Sequence, residues 1–323
     1  MRIVLCYPVE KRHINQIQAA APQAEVVDAG QEHVAREIFS ADVFCGHAKV
    51  PMPWDEVVCG GRLKWIQSSA AGLDHCLVPS VVASNITVTS ASGVLADQVA
   101  EQSIALATGL SRSLPVYFRA QQAHEFVRRP TRDLMDSTVG IVGLGGNGRR
   151  LAEVLSVFNT RILATDKFPV DKPACVAELW PAERLDDLLR EVEFLFLCAP
   201  LTDETRGMID RRALSLMRPD GFLINVARGP LVVESDLIEA LEAGRLAGAG
   251  VDVTEVEPLA TTSRLWDLPN VIITPHVGGQ SRYRIDQMTA FFCENLRRYQ
   301  RDEPLVNLVD KRLGYPARVA TTT

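Results

Sequence analysis

The sequence predicts an α/β protein built on two parallel sheets, and three observations carry that prediction. The first is the stretch Ser137-Thr138-Val139-Gly140-Ile141-Val142-Gly143-Leu144-Gly145-Gly146-Asn147-Gly148. A β-branched apolar run stops there at a glycine, and the glycines that follow let the backbone turn sharply. The second is the alternation of short apolar runs with helical patterns along most of the chain, an order that produces parallel sheets. The third is a late apolar helical face, Met288, Phe291, Phe292, Leu296 and Tyr299, with no strand-helix unit after it.

In chain order, Arg2 to Cys6, Glu25 to Val27, Val43 to Cys45, Leu63 to Gln67 and Ile86 to Thr89 read as strands. They make the first part of the chain a small, flavodoxin-like α/β unit. One of its loops, Gln67 to Asp74, follows a strand and holds the small residues Ser68, Ser69, Ala70, Ala71 and Gly72. On its residues alone it is either a plain turn or a place where backbone N–H groups hold a carboxylate. From Asp97 to about Ala123 the residues Val99, Ala100, Ile104, Ala107 and Leu110 recur at helical spacing, so one long helix is expected to cross into the second unit.

The glycine turn comes next, after a polar, proline-bearing segment. Leu151, Val154, Leu155 and Phe158 then fall at i, i+3, i+4 and i+7, one face of an amphipathic helix. With Gly143, Gly145 and Gly148 at G-x-G-x-x-G spacing, this strand, turn and helix offer backbone N–H groups and a positive helix end to a pyrophosphate. Arg161 to Thr165 reads as the following strand, and Asp166 stands 18 residues past Gly148, where a carboxylate accepts hydrogen bonds from the adenosine ribose hydroxyls. A carboxylate at that place repels a 2′-phosphate, so NAD is the expected cofactor and NADP the lesser alternative. Further strands at Phe194 to Leu197, Gly221 to Asn225, Ala247 to Asp252 and Val271 to Ile273 complete a Rossmann-type doubly wound parallel sheet. The dinucleotide-binding domain is therefore expected over 98–285. The late helix most simply packs back on the first unit, which gives a discontinuous substrate domain of 1–97 with 286–323. Two crossings between domains would allow hinge closure over a cleft.

Composition narrows the function. At 323 residues the chain can hold two cores. Its 40 acidic against 34 basic residues give a net charge of −6, and nothing gathers the bases into a stripe, which argues against nucleic acid as a partner. No apolar run approaches the roughly 18 residues that span a bilayer. Met1 to Tyr7 reads as a first strand and not as a signal peptide, so no membrane association and a cytoplasmic location are expected. The seven cysteines contain no C-x-x-C pair, so reduced thiols and no metal site are expected. His13, His33, His47, His75 and His124 lack a neighbouring motif and are expected to be surface or packing residues.

Three charged residues end hydrophobic runs in tight turns. Arg228 closes Phe222 to Gly229, Glu257 precedes Pro258 after Gly248 to Val253, and His276 lies between Thr274-Pro275 and Val277-Gly278-Gly279. Turns at the carboxyl edge of a parallel sheet converge on its ligand. Reduction of a 2-oxo acid by NADH needs such a set. A planar guanidinium holds the substrate carboxylate and polarises the ketone. An imidazole delivers a proton to the carbonyl oxygen as hydride reaches carbon. A carboxylate on the other ring nitrogen fixes the tautomer.

The motifs Asn225-Val226-Ala227-Arg228-Gly229, Val251-Asp252-Val253 through Glu257-Pro258, and Thr274-Pro275-His276 resemble the signatures of the D-isomer-specific 2-hydroxyacid dehydrogenases, in a short form without a regulatory domain. The spacings of 29 residues from Arg228 to Glu257 and 19 from Glu257 to His276 agree with that family, and the likeness covers nearly the whole chain. The resemblance implies that Arg228 binds and polarises substrate, that Glu257 orients His276, and that His276 is the acid/base. It further implies that the backbone of Ala70, Ala71 and Gly72 binds the substrate carboxylate. Asp252 would meet the carboxamide end of the nicotinamide, and Ala199 and Pro200 the adenine side. Gly146, Asn147, Val226, Ala227, Gly278 and Gly279 complete the implied cofactor contacts. Relatives pair as homodimers through the cofactor domain, and Leu114-Pro115-Val116-Tyr117-Phe118 is either such a contact or core.

The chain departs from the family in two places. Gly146-Asn147 stands where Arg-Ile is frequent, at a point of mainly backbone contact. Glu125-Phe126 stands where many glyoxylate and hydroxypyruvate reductases of the family have a G-x-W motif, which argues against a small-substrate reductase. The alternatives are a phosphite- or formate-type dehydrogenase of the same fold, and an NADH-binding scaffold resembling the family's transcriptional corepressors.

Overall fold

A computed structural model describes residues 1–169 and 171–316. The chain divides into two compact units, one of Met1–Leu95 with the segment from Ser281 onward, the other of residues 96–280. The last residues of the expected first domain, 317–323, lie outside the described residues.

The first unit is a five-stranded sheet of β1 (Arg2–Cys6), β2 (Glu25–Asp28), β3 (Val43–Gly46), β4 (Trp65–Ser68) and β5 (Thr87–Thr89). Its order is β2-β1-β3-β4-β5 and every pairing is parallel, the flavodoxin-like arrangement. Successive residues of β1 and β3 are buried although they point to opposite faces, because both faces are covered. Part of that cover comes from the helix Arg284–Gln300, whose Phe292, Cys293 and Leu296 pack with Ile3, Leu5, Ile17 and Trp65. Asn295 of this helix is buried and donates to Gln67 Oε1 (3.0 Å) and Val306 O (3.0 Å), while its own Oδ1 accepts from Val306 N (2.8 Å). A buried amide satisfied on both sides fixes the helix register on the sheet. This is why so late a segment completes the first unit.

The second unit is a seven-stranded parallel sheet of β6 (Thr138–Val142), β7 (Arg161–Asp166), β8 (Glu178–Pro181), β9 (Phe194–Leu197), β10 (Phe222–Asn225), β11 (Gly248–Val251) and β12 (Val271–Ile273). Its order β12-β11-β10-β9-β6-β7-β8 is that of a Rossmann-type sheet, with the switch point between β6 and β9. The edge strand β8 is absent from the expectations above. Glu178-Leu179-Trp180-Pro181 has no alternating or continuous apolar pattern, and only its pairing to β7 makes it a strand.

The long helix expected from Asp97 to Ala123 is two helices, Ala96–Ser111 and Leu114–Gln122, broken at Ser113 with φ of 56°. Pro115 explains the break, because it has no N–H to donate and its ring clashes with the preceding turn, a conflict that vanishes when it begins a new helix. The first of these helices lies close on the sheet because β11 carries glycines. A Cβ at Gly250 would come within 2.8 Å of Leu106 Cβ, and one at Gly248 within 3.2 Å of Leu110 Cδ2. The helix therefore descends β11 in the opposite sense, with its amino-terminal turns at the carboxyl edge of the sheet. On the second helix Leu114 and Phe118 are 38% and 58% exposed, so that stretch is not core.

Among the described residues, no helix is long and apolar enough to cross a membrane, and no group of three or more His, Cys, Asp or Glu is placed to hold a metal ion. Burial pushes the thiol of Cys6 up to about 11 and that of Cys76 up to about 12, so both stay protonated and pack as small hydrophobes.

Candidate active site

Strand register explains how residues far apart in sequence meet. Val142, Leu197, Asn225, Val251 and Ile273 lie side by side in consecutive pairings from β6 to β12, so five strands end in one row. The turns that leave this row carry Gly143 to Gly148, Ala199 and Pro200, Val226 to Arg228, Asp252 to Glu257, and Thr274 to Gly279.

At the switch point the three motif glycines have separate physical reasons. Gly143 has φ of 91°, and a Cβ on it would lie 2.7 Å from Ala199 Cα, so β6 and the turn after β9 meet backbone to backbone. A Cβ on Gly148 would fall 2.1 Å from Gly143 O, which lets the helix Gly146–Ser156 pack against the turn. A Cβ on Gly145 would meet nothing within 4 Å, so this glycine keeps open the space before the helix that starts at Gly146. Asp166 is the last residue of β7, and its carboxylate accepts from Leu144 N (2.7 Å) and Phe168 N (2.8 Å). An open glycine cradle, a helix amino end and a strand-end carboxylate tied to the cradle fit a dinucleotide.

The charged trio occupies the turns after β10, β11 and β12. Asn225 is buried and shapes the first of them: its Oδ1 accepts from Ala227 N (3.1 Å) and its Nδ2 donates to Arg228 O (3.0 Å). The half-buried Arg228 donates from Nη1 to Ala227 O (2.6 Å). Gly229 then lets this turn touch the next, since a Cβ there would lie 1.8 Å from Thr254 O. Glu257 Oε1 accepts from Thr254 N (3.3 Å), and Glu257 Oε2 lies 2.8 Å from His276 Nδ1. A carboxylate only accepts, so Nδ1 carries the proton and Nε2 is left for other business. Both side chains are exposed, at 48% for His276 and 40% for Glu257, so their contact fixes orientation more than it adds stability.

The third turn is unusual. His276 has φ of 55°, in the left-handed region, and its N–H donates to Asp252 O (2.7 Å). The Asp252 side chain, 1% exposed, serves the same turn: Oδ1 accepts from Val277 N (2.9 Å) and Thr274 Oγ1 (2.6 Å), and Oδ2 from Gly278 N (2.8 Å). Gly278 allows the approach, because a Cβ there would lie 2.9 Å from that Oδ2. Gln102, on the helix Ala96–Ser111, donates to Thr274 Oγ1 (2.8 Å). Sequence reasoning did not find Thr274, Gln102 or Asn225. Thr274 and Asn225 stand inside quoted motifs, whereas nothing local marks Gln102, whose partner is 172 residues away.

In the first unit, Ser68 Oγ accepts from Ala70 N (3.0 Å) and donates to Ala70 O (3.1 Å), so the N–H of Ala70 is used within the loop. His75 Nε2 lies 3.4 Å from the same hydroxyl, and the His47 and His75 rings stack with centroids 4.0 Å apart. His13 is 1% exposed, accepts from Glu10 N at Nδ1 (2.9 Å) and contacts Asp286 Oδ1 through Nε2 (2.7 Å).

The family model described as D-isomer specific 2-hydroxyacid dehydrogenase, NAD binding domain, matches residues 104–278. A glyoxylate reductase of Pyrococcus horikoshii is 34% identical over 264 residues, 78% of this chain and 78% of its own length. Two solved structures are similar over 97% of this chain and 99% of theirs, each at 28% identity. One is a D-isomer specific 2-hydroxyacid dehydrogenase from Xanthobacter autotrophicus Py2 in complex with NADPH and MES, with a TM-score of 0.84. The other is an NADPH-dependent glyoxylate/hydroxypyruvate reductase from Sinorhizobium meliloti in complex with NADP and sulfate, with a TM-score of 0.82.

Proposed function

This chain belongs to the D-isomer specific 2-hydroxyacid dehydrogenase family, and we propose that it interconverts a 2-oxo acid and a D-2-hydroxy acid with NAD(H) as cofactor. The observation that carries this reading is the 2.8 Å contact between Glu257 and His276 Nδ1, in a turn beside those of Arg228 and Asp252. When bound, the nicotinamide supplies the hydride to the substrate's carbonyl carbon. As an imidazolium, His276 gives its Nε2 proton to the carbonyl oxygen, and Glu257 stabilises that cation and keeps the remaining proton on Nδ1. Arg228 holds the carboxylate and polarises the ketone, drawing charge onto its oxygen. In the first unit, the N–H groups of Ala71 and Gly72 are the donors for a substrate carboxylate, with Ala70 bracing the loop. Gly143 through Gly148 cradle the pyrophosphate, Ala199 and Pro200 flank the adenine side, and Val226, Ala227, Asp252, Gly278 and Gly279 line the nicotinamide end. The test is steady-state NADH oxidation against a panel of 2-oxo acids, with formate and phosphite oxidation run alongside. Turnover of one or more 2-oxo acids well above background is expected, and background rates on all of them would overturn the reading.

Asp166 supports NAD over NADP, although both solved relatives above carry the phosphorylated cofactor. Its carboxylate stands at the end of β7, where ribose hydroxyls donate to it and a 2′-phosphate meets like charge. Asp166→Ala is expected to raise KM for NADH about tenfold or more, the size of a hydrogen bond to a charged group, with a smaller effect or none on NADPH. Equal losses with both cofactors would mean that Asp166 does not read the ribose.

We also propose a homodimer in which a second copy covers the exposed apolar residues Phe118 (58%) and Phe126 (93%) of the cofactor unit. Phe118→Glu is expected to shift the protein to monomers in sedimentation analysis, and an unchanged sedimentation coefficient would exclude that face.

A further inference from the structure

A hydrogen-bonded chain runs from the helix Ala96–Ser111 into the turn that carries His276. The turn presents a left-handed residue at His276, with φ of 55°. That conformation is sparsely populated for a residue with a side chain and persists only where its surroundings impose it. Here the surroundings are the buried Asp252, whose carboxylate accepts from the backbone N–H groups of Val277 and Gly278 and from the Thr274 hydroxyl.

Proton bookkeeping gives the chain a direction. Asp252 accepts two backbone N–H donors that can do nothing else, so as a carboxylate it also accepts from Thr274. The threonine hydroxyl has one hydrogen and spends it on Asp252 Oδ1 at 2.6 Å. It can then only accept at 2.8 Å from Gln102, which fixes the amide with its nitrogen toward Thr274. The packing agrees with this placement. Leu110 faces Gly248 and Leu106 faces Gly250, and Gln102, one turn further along, faces the end of β11 and lies within 3.7 Å of a Cβ at Gly278. The helix thus reaches the His276 turn through one amide and one hydroxyl.

We propose that Gln102 and Thr274 are positioning residues that hold the His276 ring in its working orientation through Asp252, an inference that rests on the acid/base role of His276 given above. Neither need touch substrate or cofactor. The hydroxyl keeps the carboxylate aimed at the turn, and the amide keeps the hydroxyl's hydrogen on the carboxylate.

Thr274→Val removes the hydroxyl at nearly constant volume, Thr274→Ser keeps it, and Gln102→Glu keeps the shape but, ionised, can only accept. The variants are compared with the wild-type protein by steady-state reduction of its best 2-oxo acid, by NADH binding followed by fluorescence, and by thermal melting. Thr274→Val and Gln102→Glu are expected to lower kcat by about tenfold to a hundredfold, the scale of a misplaced catalytic group. KM for the 2-oxo acid is expected to stay near wild type, and the change in Kd for NADH to be far smaller than the loss in kcat, since Asp252 is one of several contacts at the nicotinamide end. Thr274→Ser is expected to restore kcat. The double variant Thr274→Val/Gln102→Glu should fall no further than Thr274→Val, because both break one chain. Added to His276→Asn, Thr274→Val should leave the residual rate unchanged.

A Thr274→Val protein with wild-type kcat would overturn the inference. So would losses that multiply with those of His276→Asn, or a Thr274→Ser protein as impaired as the valine variant. None of these results would touch the acid/base role itself. Wild-type turnover by His276→Asn would instead remove the reading on which the inference stands.

Discussion

His276→Asn is expected to lower kcat/KM for 2-oxo acid reduction by about a thousandfold, within the range that positioned general acids contribute, while NADH still binds. Asparagine suits the test because it tolerates left-handed backbone better than other residues with side chains, so the turn at φ of 55° can persist. Its amide can reach toward Glu257 but cannot take up and release a proton. The loss therefore isolates proton transfer from the architecture of the turn. Activity is read across pH together with NADH fluorescence titration. A variant that keeps the wild-type rate and pH profile would assign the proton to another group.

Arg228→Ala is expected to cost a similar factor, about a thousandfold in kcat/KM, with NADH affinity unchanged. One preorganised donor to a developing oxyanion is worth roughly two to three orders of magnitude, and a guanidinium adds its charge and its grip on the carboxylate. The turn should survive the truncation, since Asn225 and Gly229 shape it: Asn225 holds Ala227 N and Arg228 O, both backbone atoms, and Gly229 meets Thr254 O. Arg228→Lys is expected to recover little, because an ammonium lacks the planar fork. Near-normal turnover by the alanine variant would remove Arg228 from the chemistry.

Much of the fold was legible because its signals are local. Ser137 to Gly148 reads as strand, glycine turn and helix from twelve consecutive residues, and the structure has β6, the turn and a helix from Gly146. Asp166 at the end of β7 follows from a strand of ordinary length. The failures are also physical. Asp97 to Ala123 keeps helical periodicity on both sides of Ser113, so spacing alone hides the break that Pro115 imposes. The strand β8 has no pattern of its own and exists through β7. His13, expected as a surface or packing residue, is a packing residue at 1% exposure, and its partner Asp286 comes from the late helix.

The identity of the chemistry-bearing groups and the kind of turn each ends are written in short windows of the chain, because apolar runs, glycines and prolines act on their neighbours. Arg228, Glu257 and His276 stand out there as charges at the ends of hydrophobic runs. Which of these groups meet, and what holds them, follows from how the elements pack in three dimensions. The row from Val142 to Ile273 brings the turns to one edge, and Gly229 lets two of them touch. Asp252 shows its principal partners in the His276 turn, reinforced by Gln102 from a helix far away in the chain. Such contacts depend on strand register and helix packing, which no short window of sequence encodes.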